Sequence, residues 1–206
     1  MKIPIFISIC GSIAQGTSSP QSDQDKKAIY ITDEFECHKE YEKQTEHWEL
    51  KKFLNSCRKG IPFELETLYA PKRCWLISLP QSFQRLIDDR IFVTQDTINM
   101  YFYCAQWKQR QSGGKCNKIS AHSIRYLLEI KHMLQNNTGP RVDVGDHKEM
   151  LMQIKIGKTN VDVMKGMYNS LWKETQQLPI DHLPVQADVD AIERESQWTI
   201  QRYQHQ

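Results

Sequence analysis

Asp23 and Asp25, one residue apart, follow the small-residue run Cys10-Gly11-Ser12-Ile13-Ala14-Gln15-Gly16-Thr17, which itself follows an apolar stretch over 3–9. Side chains on a strand repeat every two residues, so the two carboxylates share a face. Side by side they repel unless a cation lies between them, and carboxylate oxygens are the hard donors that Mg²⁺ or Mn²⁺ takes. Gly11, lacking a Cβ, lets a phosphate approach the backbone closely. Ser12 offers a β- or γ-phosphate both a hydroxyl and an N–H, and a short helix opening there would add further amides. Those parts suit phosphoryl or nucleotidyl transfer, with displacement at a phosphate between bound metals. The plain alternative is a Gly/Ser/Pro/Asp turn between two strands, with the acids merely solvated.

The elements around these residues are legible. Residues 3–10 read as a short buried strand ended by Gly11, and the next strand opens at the acids and continues over 26–32. Residues 33–44 are charge-rich and read as a surface excursion. A short third strand over 45–48 leads into a helix over 49–58, where Leu50, Phe53, Leu54 and Cys57 fall on one face. Gly60 is placed to end that helix, with Pro62 just beyond. Residues 63–69 alternate apolar and polar and fit a strand or a short helix. From residue 79 onward the periodicity is helical, over 81–89, 97–111, 117–135, 148–156, 160–177 and 187–203, with breaks at 111–114 and 136–140. The last stretch, about 20 residues, reads as a fraying end. The expected fold is α+β: a small mixed sheet flanked by helices in a core over 1–78, then a helical domain over 79–206 closing one side of the cleft.

Composition bounds the possibilities. The 206 residues are 39% hydrophobic, enough for a core, and carry a net charge of +2, so no overall electrostatic case for nucleic acid exists. The six cysteines form no Cys-x-x-Cys pair, which argues against zinc and against a disulfide framework. The N-terminal apolar run leads into the phosphate loop without a cleavage site, and nothing is long enough to span a bilayer. The expectation is a cytoplasmic protein with no membrane partner.

On the helix over 117–135, Lys118, His122, Arg125 and Glu129 lie at i, i+4, i+7 and i+11, forming one polar, mainly cationic stripe. The bland reading is a solvated face with an Arg125–Glu129 pair, worth about 0.3–0.5 kcal/mol. Trp75, Trp107 and Trp172 are able to stack a base. Tryptophans at helical spacing more often fill cores, so they receive no role.

Gly11-Ser12 with Asp23-x-Asp25 resembles the signature of the DNA polymerase β-type nucleotidyltransferases. The fuller string Gly-Ser-x-x-x-Gly-Thr-x-x-x-x-Ser-Asp-x-Asp, followed by Ala28-Ile29-Tyr30-Ile31, is similar to one branch, the RNA-ligase-associated (RlaP) nucleotidyltransferases of bacteria and phages. Leu50-Lys51-Lys52-Phe53-Leu54, Lys59-Gly60-x-Pro62 and Leu65-Glu66-x-Leu68-Tyr69-x-Pro71 extend the likeness, with Ile61 where the branch commonly has Asn. The similarity runs from Ile3 to about Pro184.

The resemblance implies transfer of an NMP from an NTP, with ATP favoured, to an acceptor hydroxyl on RNA or tRNA. Two Mg²⁺ or Mn²⁺ ions would assist an in-line displacement that releases pyrophosphate. It implies three carboxylates as catalytic and metal-binding residues: Asp23, Asp25 and, on the short strand before the helix, Glu46, with Glu64 and Glu66 as fallbacks. It further implies nucleotide contacts from Gly11, Ser12, Lys118, His122, Arg125 and Lys155. Transfer to a protein or small molecule remains open, as does a non-catalytic module that binds nucleotide, nucleic acid or a host protein.

Overall fold

The computed structural model describes residues 2–32, 37–40 and 44–204. Among them, five strands form one mixed sheet: β1 (Ile3–Ile9), β2 (Lys26–Ile31), β3 (Cys37–Glu40), β4 (Thr45–Glu49) and β5 (Trp75–Ile77), in the order β3-β4-β2-β1-β5. β1 lies between β2 and β5 and pairs antiparallel with both. Its Ile5 and Phe6 are fully buried, as expected of a strand covered on both faces. β4 runs parallel to β2, and β3 is antiparallel to β4.

Two strands go beyond the sequence reading. β3 falls within the stretch taken as a surface excursion; the rest of that stretch, 33–36 and 41–43, lies outside the described residues. Its sequence, Cys-His-Lys-Glu, has no apolar alternation, and an edge strand needs none. β5 is only three residues long, too short to show a period. A third correction concerns the acids. β2 begins at Lys26, so Asp23 and Asp25 occupy the lead-in to the strand, tied to the sheet by the Cys10 N–H donating to the Asp25 carbonyl at 2.8 Å.

The helices are α1 (Gly11–Ala14), α2 (Leu50–Arg58), α3 (Pro62–Leu68), α4 (Gln81–Asp88), α5 (Gln95–Gln111), α6 (Lys118–Asn136), α7 (Lys148–Lys155), α8 (Val161–Gln176) and α9 (Val189–Gln204). Their starts follow capping chemistry. Glu49 accepts from the Lys51 and Lys52 amides, and Thr94, Asn117 and Asn160 cap α5, α6 and α8 with side-chain oxygens. Residues 63–69 resolve as helix, opened by Pro62 in its first turn. Glu64 and Glu66 are buried there along with Leu65 and Leu68, which hid the helical period. Up to Gln204 the stretch read as fraying is a packed helix: α9 buries Ala191, Ile192, Ser196 and Thr199 and packs on α4, where Arg85 Nε donates to Glu195 Oε2 at 3.0 Å. No helix among the described residues is long and apolar enough to cross a membrane.

One hydrophobic cluster joins Ile5, Phe6 and Ile29 of the sheet to Tyr101, Ile124 and Leu127 of α5 and α6 and to Ile192 of α9. The core therefore runs straight across residue 78. Gly60 marks where α2 meets α5: its φ is +70°, and a Cβ there would lie 2.6 Å from the Thr97 Cα. A left-handed residue with a side chain costs about 1–2 kcal/mol and overpacking a similar amount. Gly60→Ala is therefore expected to lower unfolding stability by about 2–4 kcal/mol, read from the urea midpoint. A midpoint equal to wild type would show that the two backbones do not meet there.

Candidate active site

β1 ends at Ile9, Cys10 precedes α1 as its N-cap, and Gly11, with φ +62°, turns the chain into the single turn of α1. Gly11 and Ser12, which open that turn, both line the cavity. The chain returns through Ser19-Pro20-Gln21-Ser22, where the Ser22 N–H donates to the Ser19 carbonyl at 2.9 Å and the Ser19 N–H to Ser22 Oγ at 2.8 Å. Proline second in such a turn and serine first are the residues its backbone angles favour. The turn delivers Asp23 and Asp25 beside Gly11, and a Cβ on Gly11 would sit 3.2 Å from Asp25 Oδ2.

These residues form one wall of a cavity of about 530 Å³. Gly11, Ser12, Gln15, Thr17, Asp23 and Asp25 line that side; Lys108 of α5, Lys118, His122 and Arg125 of α6, and Lys155 of α7 line the other, with Phe63, Tyr126 and Leu151 between them. The Lys155 ammonium donates to the Thr17 carbonyl at 2.9 Å, joining α7 to the loop after α1. Burial, aided by Lys118, lowers the Lys155 pKa from its ordinary value. Lys108 was missed by sequence reasoning, because a single lysine on an otherwise mixed helix carries no spacing signal.

The stripe on α6 is not uniformly cationic. Burial, with Arg125, Lys118, Lys108 and Lys155 adding repulsion, pushes His122 down from 6.5 to about 3. The imidazole is therefore neutral near pH 7. Between about 3 and 6.5 the unfolded chain holds a proton here that the folded one does not, so stability is complete above 6.5 and declines as pH falls. Denaturant titrations between pH 7 and 4.5 are expected to show wild type losing more stability than His122→Gln. Parallel losses would show that the imidazole titrates normally.

Arg125 also departs from the solvated-face reading. Only 3% exposed, it donates to Glu66 Oε1 at 3.0 Å and to Glu129 Oε1, while Gln15 Nε2 donates to Glu66 Oε2 at 3.1 Å. This chain of contacts ties the phosphate-loop side of the cavity, through α3, to α6. One cation stands between two buried carboxyl groups, and burial raises Glu129 well above the usual carboxylate range despite the pull of Arg125.

Glu46 lies on β4 as expected but does not line the cavity. In the parallel register Lys27 stands opposite Glu46, and the Lys27 Nζ sits 3.4 Å from Glu46 Oε2 and 3.0 Å from Glu64 Oε1. The ammonium is fully buried and also lies 3.9 Å from the Phe63 ring centroid. Glu64 is thus held by Lys27, and Glu66 by Arg125 and Gln15. No group of three or more His, Cys, Asp or Glu able to hold a metal occurs among the described residues. Among the described residues, the structure brings Asp23 and Asp25 to the cavity without a third acid.

The donor set fits a hard divalent cation. Mg²⁺ is commonly held by one or two carboxylates, with substrate phosphates and waters completing its octahedron. Asp23 and Asp25 supply such a pair, open to the cavity and facing a wall of lysines. No curated protein matches the chain. Residues 2–164, most of the chain but ending short of Pro184, match the model of the RlaP family, described as the RNA repair pathway DNA polymerase beta family, and the chain belongs to that family.

Proposed function

We propose that this member of the RNA-repair polymerase β family moves an NMP from an NTP, with ATP favoured, to a hydroxyl of an RNA or tRNA acceptor. The observation that carries the reading is that one cavity is lined both by the carboxylates Asp23 and Asp25 and by the lysines Lys108, Lys118 and Lys155. A metal-bound triphosphate needs both signs of charge within a few ångströms of each other.

Asp23 and Asp25 would hold Mg²⁺ or Mn²⁺. When bound, such ions lower the pKa of an acceptor hydroxyl and stabilise the departing pyrophosphate. Ser12 donates its hydroxyl to a β- or γ-phosphate oxygen, and Gly11 lets that phosphate approach the backbone. Lys118, and Lys155 on exchanging the Thr17 carbonyl for a phosphate oxygen, balance the triphosphate charge, and neutral His122 donates a ring N–H to a phosphate oxygen. Arg125, held by Glu66 and Glu129, fixes the wall rather than swinging toward the substrate. The acceptor oxygen bonds to the α-phosphorus as the bond to the pyrophosphate oxygen breaks in line, and the hydroxyl proton leaves to solvent. Glu46 enters as a third ligand only if Lys27 turns wholly to Glu64.

Thermal unfolding with each NTP, with and without Mg²⁺, tests the reading. A ligand at 100 times its Kd adds about 2.7 kcal/mol to stability, and the rise is expected only with metal and NTP together. Stabilisation by RNA alone, with none by metal and NTP, would leave a binding module instead.

A further inference from the structure

Residues 97–128 contain no aspartate or glutamate and, besides the buried, acid-paired Arg125, carry Lys108, Arg110, Lys115 and Lys118. They span most of α5, the following loop and the first half of α6, so one flank of the cavity is uniformly basic although the whole chain is nearly balanced. Two aromatic rings stand on the same flank. Tyr103 is 63% exposed and Trp107 43% exposed, and four residues apart on α5 they are neighbours on one helix face. Trp75 and Trp172 differ: the first meets Phe6 edge-on, and the second packs on Phe102 and Tyr168. One side chain joins the exposed rings to the cavity. The Lys108 ammonium lies 4.7 Å from the Trp107 ring centroid, and Lys108 lines the cavity wall.

Adjacent exposed aromatics beside unopposed cations are what a single strand of nucleic acid uses, the rings for bases and the cations for backbone. Four helical residues rise about 6 Å, close to two base steps of about 3.4 Å. In a duplex the base faces are already stacked and closed to such rings.

We propose that this flank seats a single-stranded RNA acceptor, with bases stacked on Tyr103 and Trp107 and the backbone following Arg110, Lys115 and Lys118. The terminal nucleotide then passes Lys108 into the cavity. The inference rests on the nucleotidyl-transfer reading for what happens at that end, but not for the binding itself.

The test is fluorescence anisotropy of the full chain with a labelled, unstructured oligoribonucleotide of about a dozen nucleotides. Tyr103→Ala and Trp107→Ala are each expected to weaken binding about 10- to 100-fold while leaving the thermal stabilisation by Mg²⁺ and NTP at the wild-type value. Arg110→Glu with Lys115→Glu, both exposed, is expected to weaken binding at least about tenfold and to flatten its salt dependence. A paired RNA duplex of the same length is expected to bind more weakly than the single strand. Unchanged affinity in the ring variants, or a duplex that binds as tightly, would overturn the proposal. Ring-dependent RNA binding without any NTP stabilisation would sustain this surface and overturn the transfer reading.

Discussion

Asp23→Asn with Asp25→Asn lowers nucleotidyl transfer by about 10³-fold or more while the protein stays folded. The size follows from the several kcal/mol that bound metal supplies to a phosphoryl transition state, each 1.36 kcal/mol being about tenfold in rate. Asparagine keeps the shape and an acceptor oxygen but removes the charge that attracts the cation. The fold is indifferent because Asp23 is exposed and Asp25 half-buried, and surface changes of this kind stay within about 0.5 kcal/mol. Relief of their mutual repulsion even favours the variant slightly. The checks are the initial rate of label transfer and the urea midpoint, measured on the same preparation. Transfer within a few-fold of wild type would remove these carboxylates from the chemistry.

Arg125→Met is expected to show the opposite pattern, a loss of stability first and of activity as its consequence. Removing one partner of a buried ion pair costs about 3–5 kcal/mol, because the partner left behind keeps its charge without water. Here two carboxylates, Glu66 and Glu129, lose their shared cation. Against an ordinary total stability of about 5–15 kcal/mol, that is a large fraction. Adding Glu66→Gln and Glu129→Gln to Arg125→Met is expected to restore most of it, since the cost comes from unpaired charge rather than lost packing. Urea unfolding of the four proteins (wild type, single, double with Glu66→Gln, triple) reads this directly. A single variant as stable as wild type would mean that Arg125 reaches solvent or substrate instead of the carboxylates.

How far the sequence led can be argued residue by residue. The helices after residue 79 were visible because each alternates a buried and a wet face, and α5 through α9 begin and end within two residues of their expected bounds. α3 was ambiguous because Glu64 and Glu66, polar in sequence, are as buried as Leu65; their burial depends on Lys27 and Arg125, which come from other elements. Strand β3 was hidden for a related reason. An edge strand owes its conformation to its neighbour, and Cys-His-Lys-Glu carries no sign of which neighbour that is.

The site shows the same division. Spacing alone led to Asp23, Asp25, Gly11 and Ser12, which the fold brings to one cavity with Lys118, His122, Arg125 and Lys155. Spacing was silent on electrostatics. It showed a cationic stripe, whereas burial keeps His122 neutral and locks Arg125 between two acids. The position of Glu46 beside Lys27 depends on the register of two parallel strands, which no spacing within either strand reveals. Trp107 shows the reverse case: in sequence it looked like the other tryptophans, and only its exposure sets it apart.

The most direct test of the central claim is to incubate wild type and the Asp23→Asn, Asp25→Asn double variant with each α-³²P-labelled NTP, Mg²⁺ or Mn²⁺, and single-stranded RNA. Label entering RNA with wild type, from one preferred NTP, only with metal and not with the variant, is the predicted result. Label on the protein itself would move the acceptor to a side chain. No label with any NTP would contradict the account and leave the cavity a binding site without chemistry.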